Sequence, residues 1–122
     1  MKLNSKQLLN ELNQFIGTSS YHRLSPCFVV TDGLKYLMDQ ANCYWLGHLF
    51  GLFLARTSHE ENPFIVLILK CNSLKALLII EDGNGNELDR QNIDCVAFPL
   101  KECLLFASWY KNCWVGMLPT EY

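Results

Sequence analysis

The spacing of hydrophobic residues predicts an amphipathic helix near the start of the chain. Between Ser5 and Ile16, apolar residues recur three and four positions apart, which places them on one face of a helix. Ser5 is the expected N-cap and Gly17 the expected stop. Residues 18–26 are mostly polar, so a connector without regular structure is predicted there.

Two further helices are predicted in the next thirty residues. A short extended run over 27–30 is followed by Thr31 or Asp32, either of which can cap a helix over 34–40. The helix predicted over 43–56 is apolar on almost every side. It is therefore expected to be central and covered on several sides.

After residue 63 the pattern changes to runs that are typical of β-strands. The predicted strands cover residues 64–70, 74–80, 87–93, 103–110 and 113–119. The first two are continuously apolar, as in strands in the middle of a sheet. The third is mostly polar, which suits a sheet edge.

Helices followed by strands indicate one α+β domain over residues 1–122. We expect the N-terminal helices to pack on one face of a four- to five-stranded antiparallel sheet, connected as a meander. Alternating βαβ units are absent, which argues against a doubly wound nucleotide-binding fold.

The amino-acid composition argues against several classes of function. A net charge of −2 with scattered basic residues argues against a nucleic-acid binder. The apolar helix is far shorter than the ~20 residues a membrane span needs, and no secretory signal is evident, so a cytoplasmic protein is expected. Without a secretory signal, reduced thiols are expected for the six cysteines, at positions 27, 43, 71, 95, 103 and 113. The lack of a C-x-x-C spacing argues against a redox motif and a zinc ribbon. No metal or other cofactor is expected.

The segment EDGNGNE, residues 81–87, has the oxygen-bearing alternation of a calcium loop. Asp82, Asn84 and Asn86 would stand at ligand positions 1, 3 and 5. The required glycine at position 6 and glutamate at position 12 are replaced by Glu87 and Ile93. Asp-Gly and Asn-Gly pairs are strong hairpin signals, so a turn between two strands is the preferred interpretation. A calcium-responsive module is the alternative.

Cysteine and histidine residues give a second alternative, a small enzyme. A nucleophilic pair would require Cys43, or another cysteine, close in space to a histidine such as His48 or His59. Cys43 and His48 are five residues apart and would not share a helix face. Without a recognisable catalytic motif, the chain is predicted not to be an enzyme.

Aromatic residues near the C-terminus suggest a protein-binding surface. Trp109 and Tyr110 are adjacent in a predicted strand, so their side chains must point to opposite faces of the sheet. Only one of the two rings can therefore point toward the core. Trp109, Tyr110 and Trp114 are therefore the predicted partner-binding residues, for a protein partner or a second copy of the chain.

Three sequence segments carry a family resemblance. They are TDGLKYLMDQANCYWL (31–46), EDGNGNEL (81–88) and LPTEY (118–122), with Thr120 where the pattern usually has serine. In this order they resemble a domain-of-unknown-function family of small bacterial and phage-encoded proteins. The resemblance implies an accessory role, such as inhibition of a host defence protein by binding it. The expected function is accordingly a non-enzymatic protein-binding module of a phage or mobile element.

Overall fold

The computed structural model describes residues 4–72, 74–94 and 98–122. Within these residues the chain forms three α-helices, seven strands and a final 3₁₀ turn. In chain order they are α1 (Ser5–Leu12), β1 (Tyr21–Ser25), β2 (Phe28–Thr31), α2 (Asp32–Ala41), α3 (Tyr44–Ala55), β3 (Phe64–Asn72), β4 (Lys75–Asp82), β5 (Glu87–Asp94), β6 (Glu102–Tyr110), β7 (Cys113–Met117) and the 3₁₀ turn (Pro119–Glu121). The predicted α+β class is confirmed.

All seven strands form one mixed sheet, in the order β1-β2-β7-β6-β3-β4-β5. The prediction of a four- to five-stranded antiparallel meander is therefore wrong in strand number and in connection. Only β3, β4 and β5 follow one another as a meander, with β5 at the predicted edge. β6 returns to the other side of β3, and β7 pairs with β2 in parallel.

Two physical features explain these differences. β1 has the sequence YHRLS and lies at the sheet edge with alternate residues exposed, so it lacks the apolar run that marks a buried strand. The parallel β2–β7 pair joins Phe28 to Trp114 across most of the chain. Such a long crossover leaves no local turn signal in the sequence.

The helices are close to their predicted positions, with a shift in the first. α1 ends at Leu12 rather than Ile16, and Asn4 rather than Ser5 is its N-cap. The Asn4 side chain accepts a hydrogen bond from the Gln7 amide, and the Gln7 side chain accepts one from the Asn4 amide, which forms a capping box. α2 begins after Thr31, as predicted, and α3 covers the predicted apolar helix.

The hydrophobic core lies between the helices and one face of the sheet. Along β3, Ile65, Leu67 and Leu69 are fully buried and belong to the same cluster as the buried residues of all three helices. The alternate residues Val66 and Ile68 point to the opposite face. In the described part of the chain this opposite face carries no helix, so the fold has two layers.

Glycines allow α3 to approach both the sheet and α2 closely. A Cβ on Gly51 of α3 would lie 3.1 Å from the Phe28 ring, and one on Gly116 of β7 would lie 2.9 Å from the same ring. A Cβ on Gly47 would lie 2.6 Å from the Met38 sulfur. The Phe28 ring is therefore held between α3 and β7 at the junction of the β2–β7 pair.

The Glu121 carboxylate ties the C-terminal segment to the start of α2. It accepts hydrogen bonds from the Thr31 hydroxyl at 2.5 Å, the Gly33 amide at 3.0 Å and the Leu118 amide at 3.1 Å. Its negative charge also lies at the positive end of the α2 dipole. We call this arrangement the carboxylate clamp. A side chain at Gly33 would collide with it, since a Cβ there would lie 2.6 Å from Glu121 Oε1.

Replacing Glu121 with alanine should destabilise the fold. The variant leaves the Gly33 and Leu118 amides in a buried region without their acceptor, which should lower the free energy of unfolding by about 2 kcal/mol. Urea denaturation followed by circular dichroism measures the loss. Thr120→Ala, at an exposed neighbouring position, is the control and should change stability by less than about 0.5 kcal/mol. Equal stability of the two variants would contradict the clamp.

Candidate protein-binding surface

The three predicted partner-binding aromatics have very different exposure. Trp114 is 2% exposed and packs edge-on against Trp109, with ring centres 5.5 Å apart. Trp109 is covered on another side by His59, whose ring stacks on it at 3.8 Å. Tyr110 is 58% exposed. Of the three, only Tyr110 offers a largely free ring to a partner.

The EDGNGNE segment forms the β4–β5 turn. One Asp82 carboxylate oxygen accepts hydrogen bonds from the Asn84 and Asn86 amides, and the other accepts one from the Asn86 side chain. These bonds lower the pKa of Asp82, that from the Asn86 side chain most of all. Gly85 has the positive φ, +86°, that the turn requires. The Asp82 oxygens that would serve as calcium ligands are thus occupied within the turn.

The residues of the predicted Cys/His site lie in different environments. Cys43 is fully buried at the N-cap of α3, and burial raises the pKa of its thiol to about 12. His59 stacks on Trp109, and His48 lies on the exposed side of α3. In the described residues, no group of three or more His, Cys, Asp or Glu side chains could hold a metal ion.

His48 shares a groove with a different cysteine. It lines an apolar groove of about 560 Å³ between α3 and the β1–β2 turn, together with the exposed Cys27. The cysteines at 27, 43, 71, 103 and 113 are unpaired thiols. Cys95 lies outside the described residues.

A polar cluster around Asp32 was not predicted from the sequence. Its carboxylate accepts hydrogen bonds from the Ser19 amide and the Ser20 hydroxyl, and lies 2.8 Å from His22 Nε2. Ser20 donates to Asp32 and not to His22, so the three side chains are not arranged as a nucleophile, base and orienting acid. The cluster fastens the segment before β1 to the start of α2.

The sheet face opposite the helices carries a broad apolar surface in the described residues. We call it the open face. Its apolar positions follow from the strand register and cross five neighbouring strands: Val29, Phe64, Val66, Ile68, Leu77, Ile79, Leu104, Phe106, Val115 and Met117. Most of these side chains are half-buried by their neighbours alone.

Aromatic rings form a cluster at one end of the open face. Phe64 and Phe106 pack with ring centres 5.1 Å apart, and Tyr122 packs on both at 5.0 and 5.9 Å. Tyr122 nevertheless remains 77% exposed. A large aromatic ring that packs on one side and is free on the other is typical of interface residues.

The charges of the open face balance one another. Lys70 lies opposite Glu102 on the neighbouring strand, and Arg90 forms an ion pair with Glu87 at 2.7 Å. In the described strands, the register places four basic and four acidic side chains on this side of the sheet: Arg23, Lys70, Lys75, Arg90, Glu81, Glu87, Asp94 and Glu102. The surface therefore has no excess of either sign.

The sequences of β3 and β4 contain a signal for this surface. Both strands are apolar at consecutive positions, which is the pattern of strands with two apolar faces. Such a pattern predicts a cover for both faces, and the described helices supply only one.

Fold and surface together define a two-layer α+β domain with one uncovered apolar sheet face. The chain belongs to a family of unknown function, DUF6876, which it matches over residues 6–122. This confirms the predicted membership of a domain-of-unknown-function family. No curated protein and no solved structure matches the chain. In the described residues, no helix is long and apolar enough to cross a membrane.

Acid should destabilise the protein in part through Asp32. Hydrogen bonds from His22, the Ser19 amide and Ser20 hold the pKa of Asp32 well below its usual range in the folded chain. A lowered folded-state pKa gives stability that is complete above the unfolded pKa of about 4 and is lost as pH falls below it.

The measurement is urea denaturation at pH 6 and pH 3 for wild type and Asp32→Asn. The variant should be less stable at pH 6 and should lose less stability on acidification, because it lacks the titrating group. Glu60→Gln, in an exposed loop, is the control and should follow the wild type. An acid response in Asp32→Asn as large as in wild type would contradict the role of this cluster.

Proposed function

We propose that the protein is a non-enzymatic protein-binding module whose binding surface is the open face. The observation that carries this proposal is the run of apolar side chains across five strands, over which the described part of the chain places no further layer. Monomeric proteins rarely expose contiguous apolar patches beyond a few hundred Å², and larger ones mark interaction sites. A rigid sheet also holds its contact residues in place before binding, which reduces the entropy cost of association.

The composition of the open face favours a protein over other ligands. Its aromatic cluster lies beside aliphatic residues with charges at the edge, which is the usual anatomy of a protein interface. The balanced charges offer no positive field to a nucleic acid. Tyr110, one of the predicted partner-binding residues, lies on the same side of β6 as Phe106 and extends this surface.

We further propose that the bound protein belongs to a host cell, and that the chain is an accessory protein of a phage or mobile element that inhibits it. The support for this role is the resemblance of the three sequence segments, which implies such accessory proteins. The open face is the surface that would occupy the host target. A cytoplasmic location accords with this role.

A capture experiment tests the binding surface. Tagged wild-type chain is incubated with lysate of the source cells or their host, and bound proteins other than the chain itself are quantified by mass spectrometry. Ile68→Lys places a charge in the centre of the open face and should reduce the captured partner at least tenfold, which corresponds to about 1.4 kcal/mol.

The matched control for capture is Leu52→Lys. Leu52 is 65% exposed on α3, on the helix side of the molecule, so this variant should retain the same partner as wild type. Circular dichroism checks that both variants are folded. A partner that Ile68→Lys and wild type retain equally would show that the open face is not the binding surface.

A second candidate function is a small enzyme with a Cys/His site, and the groove beside α3 favours it. Cys27 and His48 line this groove, and both are exposed. In this second candidate the nucleophile is Cys27, and not the buried Cys43 that the sequence suggested. A histidine beside a thiol can take up its proton and so activate it as a nucleophile.

Alkylation kinetics test the second candidate. If His48 activates Cys27, His48→Ala should slow the reaction of Cys27 with iodoacetamide about tenfold near neutral pH. In denaturant, where the two residues are apart, the variant and wild type should react at equal rates. Peptide mass spectrometry identifies the modified cysteine. Equal rates in the folded proteins would remove this candidate.

A further inference from the structure

We infer that, in the absence of another target, the open face is covered by a second copy of the chain, so that two sheets pack face to face around a two-fold axis. This inference rests on the proposed function, because it assigns an occupant to the same surface. It adds a defined assembly, a homodimer with both open faces buried. Three features of the described residues support a copy of the chain as the occupant.

The first feature is the size of the face. Neighbouring strands lie ~4.8 Å apart and rise ~3.4 Å per residue. Three of the apolar strands, β3, β4 and β6, therefore span roughly 24 Å over residues 64–70 and their ladder partners, whereas β7 has five residues and β2 has four. Together the five strands cover roughly 500 Å² of flat area, before side-chain relief is added. A specific interface buries about 800 Å² on each partner. The flat area of the face is therefore of the same order as one side of a specific interface.

The second feature is charge. The four basic side chains that the strand register places on the open face are matched by four acidic ones, so the face is neutral. A neutral face can meet its own copy without net repulsion, whereas a face of one sign would repel it. Most of these charged residues lie around the apolar centre, where the rim of an interface remains in contact with water.

The third feature is the protection of the sheet edges. β5 is polar and exposed at most positions, and β1 is short and alternates exposed and half-buried residues. Such edges discourage pairing through additional strands. Self-association is thereby directed to the apolar face, where sheets pack with side chains interdigitated about 10 Å apart. A two-fold arrangement buries the same patch on both chains and closes the assembly at two copies.

Sedimentation velocity of the full chain over a range of concentrations tests the inference. Wild type should sediment as a dimer, and Tyr122→Ala should raise the dimer dissociation constant about tenfold or more, as removal of an interface aromatic does. Tyr122 is 77% exposed, so its removal should leave the monomer folded. Ile68→Lys should sediment as a monomer, and Leu52→Lys, on the helix side, should dimerise like wild type.

The outcomes separate this inference from the proposed function. A wild-type chain that is monomeric up to roughly 100 µM, a concentration far above the Kd of a specific complex, overturns the inference. A dimer that neither Tyr122→Ala nor Ile68→Lys weakens also overturns it. In both cases the proposed function still stands if Ile68→Lys loses a captured partner. If Ile68→Lys is unfolded by circular dichroism, Tyr122→Ala alone decides.

Discussion

The carboxylate clamp is the interaction on which the rest of the structure depends. Glu121 comes from the last residues of the chain and binds the Thr31 hydroxyl and Gly33 amide at the start of α2. The strand order shows why this contact matters, since β1 and β2 join the other five strands only through the β2–β7 ladder. The clamp lies directly beyond one end of that ladder, and the Phe28 ring packs between Gly51 and Gly116 at the other end. The β2–β7 ladder makes the sheet continuous, and the clamp holds the segment after β7 against the start of α2.

The same junction explains why sequence reasoning recovered the elements better than their arrangement. Apolar periodicity and caps located α2, α3 and all strands after residue 63, because these signals are local. The β2–β7 pairing joins residues that are distant in the chain, such as Phe28 and Trp114, and no local pattern specifies it. β1 was missed because an edge strand with polar alternate residues resembles a connector. The Asp32 cluster was missed for a similar reason, since its partners come from residues 19–22, in the segment predicted to be unstructured.

The candidate surface could be predicted only in part. Adjacent Trp109 and Tyr110 indicated that one ring must leave the core side, and Tyr110 is indeed the exposed one. The sequence did not show that Trp114 would be buried against Trp109, because this depends on the β6–β7 register. The continuous apolar run of β3 predicts a central strand. The same run also makes both faces of the strand apolar. That one of these faces lacks a helix can be recognised only in the structure, where all three described helices lie on the same side of the sheet.

The two proposed uses of one apolar face would limit how the protein can act. A second copy and a different protein would compete for the open face, so binding of a target would have to overcome the free energy of self-association. By mass action, the apparent affinity for the target then falls as the chain becomes more concentrated. At low concentration the monomer would predominate, and its open face would be free. Self-association would thus cover this apolar surface at high concentration and leave it available to the proposed target at low concentration.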